Sequence, residues 1–436
     1  MARVDGLDPP LVRRRRHRRP VRGPHLHRLR ATPRRRARAA RGCRLARPRE
    51  GRSLRLVQGA ARPRRGAEGV KVSVEPSLFA DLVGRAGHHV PTSTTEPILK
   101  GLLLEAADDT LTVSAQNRDT SLKASMPAEV AEPGRALLPG RVLGEATKSL
   151  AKSRDYLQLA ATAAESTITC GTAVMTIRAL PADEFPGLPR AAVAVGQIDA
   201  GDLREAIAQV AWACKPDKPA KPEHAVIRID IDGDTITWAG ADNYRMAARV
   251  TPWGPGTPDA QMAAHVPVRE FREAVKDFSS GPVTLGANDN LVSLASADQT
   301  ATIRQYQIEE YADYQPRLAK PLPTTVRVET EALLEAVKRV TLFTEGLGSI
   351  NLDIQADCIG IHAGDISLIG RGADTVEAQL DGDAMQLRFQ PPFIIEPLAS
   401  IHTEHTVIGL SAPGRYVILA STDEVFRYLA APLKPR

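Results

Sequence analysis

Aromatic residues are scarce in this 436-residue chain, 4% of the total with three tryptophans, so stacking on nucleic-acid bases is a poor candidate for its binding chemistry. Long apolar runs are missing as well. No stretch approaches the roughly eighteen residues that a membrane-spanning helix needs, and the N-terminus lacks the apolar core of a secretory signal. The expectation is a cytoplasmic protein with no membrane partner. The four cysteines, Cys43, Cys170, Cys214 and Cys358, show neither CxxC spacing nor a paired histidine cluster. Reduced, buried thiols are expected, with no disulfide framework, no metal and no cofactor.

Catalytic signatures are wanting too: there is no GxSxG, P-loop, HExxH or Rossmann fingerprint. His402-Thr-Glu-His405 falls on an expected loop and lacks a third ligand. His88-His89 stands isolated, beside the polar run Thr92–Thr95 that faces solvent or DNA. Asp108-Asp109 and Glu309-Glu310 are explained by turn chemistry and solvation better than by acid/base work. No catalytic residue is expected, and a binding protein is favoured over an enzyme.

The formal charge of +6 averages two unlike pieces. Residues 1–69 hold 23 arginines and 4 acidic residues, leaving 34 basic and 47 acidic residues in 70–436, a net of −13. The first piece, with runs such as Arg13–Arg16 and Arg34–Arg36, has no sustained apolar period and cannot build a core. Two readings stay open for it. It is a disordered basic arm that binds nucleic acid, or an upstream translation of GC-rich DNA ahead of a start at Val70.

What the remainder does contain is a threefold repeat. Val72–Leu78, Gln197–Leu203 and Val326–Leu333 each read as a short strand, a polar cap and an amphipathic helix, with offsets of 124 and 130 residues from Val74 to Ile198 to Val328. Second helices follow in step at Pro139, Pro267 and Pro391, with proline near each start. Between the helices lie alternating runs that read as hairpins, Ile98–Val113, Ala225–Trp238 and Ile350–Ile361. Further strand pairs follow at Leu157–Ile177, Val283–Ile303 and Thr406–Val425. The fold class is therefore α+β, with three domains at 70–190, 191–322 and 323–436, each of two helices packed on antiparallel sheets.

The opening Val70-Lys-Val-Ser-Val74, the segment Glu96–Glu105 leading to Leu111-Thr-Val113, the junction Leu180-Pro-Ala-Asp-Glu-Phe-Pro186 and the loop Ala241-Asp-Asn-Tyr-Arg-Met246 together resemble the bacterial DNA polymerase III β subunit, the β sliding clamp. The resemblance spans nearly all of 70–436. It implies a DNA clamp fold and a head-to-tail homodimer ring that encircles double-stranded DNA without sequence specificity and confers processivity. The implied partners are the DNA polymerase catalytic subunit, the clamp loader, and repair polymerases and other clamp-binding proteins. Polymerase activity would reside in the catalytic partner. Candidate DNA-facing residues on the predicted helices are Arg85, Arg141, Lys148, Arg204, Arg272, Lys276, Lys338 and Arg339. The helix Pro391–Ile401 carries no Lys or Arg, which weakens that lining.

The resemblance also implies a cleft for short partner peptides between the second and third domains. Carried over segment by segment, it comprises Ala241, Asn243, Arg245 and Met246, either Arg317 or Leu318 after Tyr314, and Leu429, Ala431, Pro432 and Leu433 from the C-terminal strand and tail. For Arg245 a structural ion pair is the favoured role. The chain departs from the family where Ala241 replaces a threonine, Asn243 a glycine and Ala431 a bulky apolar residue. Asn243 is expected to narrow the pocket or to force a costly backbone conformation. The alternative reading is accordingly a divergent accessory paralogue, or a clamp-like scaffold with altered partner binding.

Overall fold

The computed structural model describes residues 69–215, 221–256, 261–344, 348–365, 370–412 and 414–434. The two readings of the Arg-rich segment concern 1–69, which lies outside these residues except for Gly69. The first repeat runs β1 (Gly69–Val74), α1 (Pro76–Gly87), β2 (Gly101–Ala107), β3 (Thr110–Gln116), β4 (Thr120–Pro127), β5 (Glu129–Glu132), β6 (Gly134–Pro139), α2 (Gly140–Leu150), β7 (Leu157–Thr162), β8 (Glu165–Cys170) and β9 (Ala173–Arg178). The second runs β10 (Ala194–Asp199), α3 (Ala200–Val210), β11 (Val226–Asp232), β12 (Thr235–Ala241), β13 (Arg245–Pro252), β14 (Gly254–Pro255), β15 (Gln261–Pro267), α4 (Val268–Lys276), β16 (Pro282–Ala287), β17 (Leu291–Ala295) and β18 (Gln299–Arg304). A helical turn, α5 (Gln315–Leu318), precedes the third: β19 (Thr324–Glu329), α6 (Thr330–Thr341), β20 (Ile350–Ile354), β21 (Cys358–Asp365), β22 (Gly370–Asp381), β23 (Met385–Phe389), α7 (Pro392–Ser400), β24 (His405–Leu410), β25 (Val417–Ser421) and β26 (Phe426–Ala430).

Local chemistry accounts for the elements. In β7 the period-two alternation buries Leu157, Leu159 and Ala161 and exposes the residues between them. In α4 the inward positions are Val268, Phe271, Ala274 and Val275, which leaves Arg272 and Lys276 on the solvent side. Asp199 caps α3, its side chain accepting the Gly201 N–H at 2.7 Å. The β2–β3 turn places Asp108 and Asp109 at φ 47° and 54°, the left-handed pair that a two-residue hairpin connection demands. The prolines at 139, 267 and 391 all sit at the cap position, one residue before α2, α4 and α7, and Pro392 is the first residue of α7.

All strand ladders among the described residues are antiparallel, and they form three sheets, β5-β1-β7-β8-β9, β14-β10-β16-β17-β18-β4-β3-β2-β6 and β15-β11-β12-β13-β26-β25-β24-β19-β22-β21-β20-β23. Two of these sheets are continuous across repeats. Strand β18 pairs with β4 (Thr302 opposite Ser121, their hydroxyls 2.6 Å apart), and β26 pairs with β13 (Leu429 opposite Met246). In each case the last strand of one repeat docks on the third strand after the first helix of the preceding repeat. The helices pack in pairs, α1 on α2, α3 on α4 and α6 on α7, over a core that includes Phe79, Leu143, Phe271, Leu333 and Leu398.

His88 and His89 are not isolated, contrary to the expectation. His89 is 2% exposed; its Nδ1 lies 2.9 Å from Thr120 Oγ1, and its Nε2 faces the Asp277 carboxylate of the second repeat at 3.8 Å. His88 approaches the same carboxylate at 3.4 Å. His402 lies 3.1 Å from Glu205, and His405 opens β24; no cluster of three metal-ligating side chains occurs among the described residues. No described helix is long and apolar enough to cross a membrane.

Candidate partner-peptide site

Where β13 and β26 join the second and third repeats, a second, smaller apolar cluster forms on the sheet face away from the helices. It gathers Ala239, Ala241, Met246, Ala248, Tyr314, Leu318, Ile418 and Leu429. The pleat explains the membership. Ala241 stands opposite Met246 and Ala239 opposite Ala248, all pointing to one face, while Gly240 between them approaches the Val210 carbonyl on the other. Of the expected cleft residues, Ala241, Met246, Leu318 and Leu429 are thus brought together. Of the two alternatives Arg317 and Leu318, Leu318 is buried in this cluster and Arg317 is exposed.

The other expected cleft residues lie around this cluster, outside its membership. Asn243 and Ala431 are exposed, and the Ala431 N–H donates to the Tyr244 carbonyl at 3.0 Å. Pro432 and Leu433 are half-buried, and the Leu433 N–H turns away to the Arg388 carbonyl on β23 at 2.7 Å. Of the two alternatives expected at Asn243, the costly backbone conformation is removed, because Asn243 is not among the non-glycine residues with positive φ. The Asp242 side chain makes this possible by accepting the Tyr244 and Arg245 N–H groups at 2.8 and 3.0 Å, closing the turn locally.

Arg245 belongs to a different set of contacts. Its guanidinium donates to the Trp212 carbonyl at 2.7 Å and pairs with Glu396 of α7, and it lies 5.3 and 4.9 Å from the ring centres of Trp212 and Phe393. Burial pulls its pKa down, but Glu396, together with Tyr428 and Asp242, more than offsets this and the net shift is upward. The Trp212 ring packs 5.2 Å from Tyr428 and donates from its indole to Ser400 Oγ at 3.0 Å. Arg245 is therefore the ion pair that the sequence favoured, tying the second repeat to the third repeat's second helix. Trp212, Phe393, Glu396 and Tyr428 were not singled out from sequence; a lone tryptophan after α3 was the only signal.

The segment entering α5 is fastened over the same outer face. Tyr314 Oη donates to Asp230 at 2.6 Å, Tyr311 Oη donates to the Ala239 carbonyl at 3.2 Å, and the Leu318 carbonyl accepts from Arg427 at 2.9 Å. Burial raises the pKa of both tyrosines, so they remain donors. The Cys214 thiol behind the sheet is likewise pushed up by burial, to about 12, and is inert.

The candidate DNA-facing residues all lie on or at the ends of helices. Lys148, Arg204 and Arg272 are exposed. Arg141, Lys276 and Lys338 are exposed too, each beside an acidic neighbour on its own helix at 2.8 to 3.1 Å. Such exposed pairs are weak and yield readily to a phosphate. Arg339 meets Asp374 of β22 at 2.8 Å, and Arg85 reaches across to Asp298 and Gln299 of the second repeat.

Models of the DNA polymerase III beta subunit match this chain twice, the N-terminal domain over residues 70–189 and the C-terminal domain over residues 320–434, together more than half of its length. The chain belongs to the DNA polymerase III β subunit family. Among sliding-clamp relatives, the beta sliding clamp of Streptomyces coelicolor is 29% identical over 378 residues, covering 84% of this chain and 99% of the relative. The beta sliding clamp homolog GriR of Streptomyces muensis is 28% identical over 376 residues, with the same coverage. The crystal structure of the Bacillus subtilis DNA polymerase sliding clamp superposes with a TM-score of 0.78 at 20% identity, covering 84% of this chain and all of that one. A Pseudomonas aeruginosa sliding clamp crystallised with griselimycin gives 0.77 at 18% identity, again covering 84% and 100%. The sliding-clamp fold, three repeats of two helices on antiparallel sheets, is thus the fold of this chain.

Proposed function

We propose that this chain is a clamp subunit that closes head to tail with a second copy into a ring around duplex DNA, conferring processivity on a replicative polymerase in the cytoplasm. The three repeats, 70–190, 191–322 and 323–436, act as the clamp domains. One observation carries the reading. Within the chain, each repeat's last strand docks on the third strand after the preceding repeat's first helix, as β18 does on β4 and β26 on β13. Among the described residues the same rule leaves two surfaces without a neighbour: β9, the edge of the first sheet, and the Gly370–Thr375 half of β22, which pairs on one side only with β21.

Exposure supports this assignment. In the docked strand β4, Thr120, Ser121, Leu122, Ala124 and Met126 are buried, whereas in β9 only Ile177 is, and in Gly370–Thr375 none is. Two large apolar side chains stand free at these places, Val174 on β9 at 65% exposure and Leu342 at the end of α6, which packs on β22, at 78%. The surfaces lie at opposite ends of the chain and differ from each other, so a contact between them is heterologous and closes into a ring if the rotation permits.

In this reading the exposed lysines and arginines of the helices face the phosphates of enclosed duplex, holding it without reading sequence. The cluster of Ala241, Met246, Leu318 and Leu429 is the floor of the partner-peptide cleft, with Asn243, Ala431, Pro432 and Leu433 at its rim. The polymerase catalytic subunit, clamp loader and repair polymerases are the partners it serves. The chain itself supplies no chemistry.

The test is topological. Chain loaded by the host's clamp loader onto nicked circular DNA is retained, and it runs off when the circle is linearised. Failure to load, with peptide binding intact, would favour the second reading, an accessory clamp-like scaffold. That reading has its own support, since α7 carries no Lys or Arg and its Glu396 is engaged by Arg245.

A further inference from the structure

The segment Tyr306–Lys320 does more than connect repeats, because it crosses the outer face of β15, β11 and β12 before its α5 turn supplies Tyr314 and Leu318 to the cleft cluster. Beneath it lies a polar group of three side chains on that face, Arg228, Asp230 and His265. Arg228 of β11 donates through Nε to both Asp230 oxygens, at 3.0 and 2.7 Å, and Asp230 in turn accepts the Tyr314 hydroxyl at 2.6 Å. The Arg228 guanidinium lies 5.5 Å from the Tyr311 ring centre, and Nη1 is 3.5 Å from His265 Nε2 of β15. The His265 and Tyr311 rings are 5.5 Å apart, and the His265 main chain holds the start of the segment, its carbonyl accepting from Tyr306 at 2.9 Å and its N–H donating to Gln305 at 3.1 Å.

We infer that Arg228, Asp230 and His265 are positioning residues for the partner-peptide cleft: they fix Tyr311 and Tyr314, and through them the wall formed by Tyr314 and Leu318, and they do so only while His265 is neutral. The inference rests on the cleft reading above. Chemistry decides the protonation requirement. Arginine has donors only, so His265 Nε2 next to Arg228 Nη1 acts as the acceptor, and the unprotonated ring is the one that fits. The charged and titratable groups facing His265 are Arg228 and Asp230 from β11 and Tyr311 from the segment, with Tyr314 one contact further. One carboxylate then serves one guanidinium through both oxygens, and its Oδ2 takes the Tyr314 hydroxyl as well. An imidazolium would add a second cation to the same carboxylate, repel Arg228 and draw Asp230 away from Tyr314. Burial first, and then Arg228, hold the His265 pKa below its ordinary value, which keeps the group intact at neutral pH and confines its loss to acid.

The experiment uses the full chain and hydrogen–deuterium exchange, read as protection in Ala312–Leu318 relative to β13 and β26 in the same sample. In the wild type this segment is protected at pH 7.5 and loses protection severalfold at pH 5 after correction for intrinsic exchange. His265→Gln, which can accept from Arg228 and never charges, keeps its protection at both values. Tyr314→Phe and Asp230→Asn open the segment at pH 7.5 while β13 and β26 stay protected. A parallel titration with griselimycin reads the cleft, with Tyr314→Phe expected to bind about tenfold more weakly than wild type. Unchanged protection in Tyr314→Phe and Asp230→Asn, or an acid response that survives in His265→Gln, overturns the positioning role. A wild type that binds no griselimycin while the exchange pattern holds counts against the cleft reading and leaves the role of the three residues in fixing the segment standing.

Discussion

Replacing Arg245 by methionine isolates what the guanidinium contributes to the joint between the second and third repeats, since the side chain is only 12% exposed and the substitution preserves much of its volume. The hydrogen bond to the Trp212 carbonyl is charge-assisted and its loss costs about 1.5–2 kcal/mol. Contacts with the Trp212 and Phe393 rings add about 0.5 kcal/mol each, because part of the dispersion is kept by the methionine. The Glu396 partner is 36% exposed, so solvent screening holds that ion pair to about 0.5–1 kcal/mol. Asp242 keeps two main-chain donors and is not left bare. Arg245→Met should therefore destabilise by about 3 kcal/mol and Glu396→Gln by less than about 1 kcal/mol. All three tryptophans, Trp212, Trp238 and Trp253, lie in the second repeat, so urea unfolding followed by tryptophan emission reads this joint. Equal losses in the two variants, or a loss below about 1 kcal/mol in Arg245→Met, would refute the assignment of the guanidinium as the organising group.

Val174→Asp and Leu342→Asp place a charge on the two surfaces assigned to ring closure, and light scattering after gel filtration should find the mass of one chain where wild type gives two; a two-chain mass in both variants would remove β9 and β22 from the contact. Asp109→Gly relieves a left-handed residue in the β2–β3 turn while the main-chain bond from Ala128 N–H to its carbonyl is retained, and should stabilise by about 0.5 kcal/mol in thermal unfolding. A lower melting temperature would show that the Asp109 side chain has a role of its own.

The threefold plan was legible because it is written in local chemistry: alternation in strands such as β7, the Asp199 cap and the Asp108-Asp109 turn each announce themselves within a few residues. Four of the apolar residues expected in the cleft do share one cluster, Ala241 and Met246 because they flank one turn. What escaped was everything decided by which sheet face a residue takes and by partners far along the chain. Arg245 and Met246 are neighbours in sequence and work on opposite sides of β13. Tyr314 finds Asp230 and Arg245 finds Glu396 across 84 and 151 positions, with no periodicity to signal either pairing. His88 and His89 looked isolated for the same reason, because Asp277 comes from another repeat. Of the two effects expected at Asn243, backbone strain does not arise, because Asp242 closes the turn by itself, and a narrower pocket is the alternative that stays.

A strand with one edge open among the described residues, as β9 has, is also a hazard. Ala173-Val-Met-Thr-Ile-Arg178 is rich in β-branched residues with a single charge, and its open edge offers main-chain donors and acceptors to any strand that passes. The Gly370–Thr375 half of β22 is far less inviting, with two glycines, Arg371 and Asp374. A chain with the β9 edge uncovered is therefore prone to stick to itself at one end only, and heating a concentrated sample would turn separated chains toward aggregates before they unfold. If the proposed ring forms, it covers this edge, and a charged residue on β9 should then make the single chain easier to handle while weakening the proposed pair.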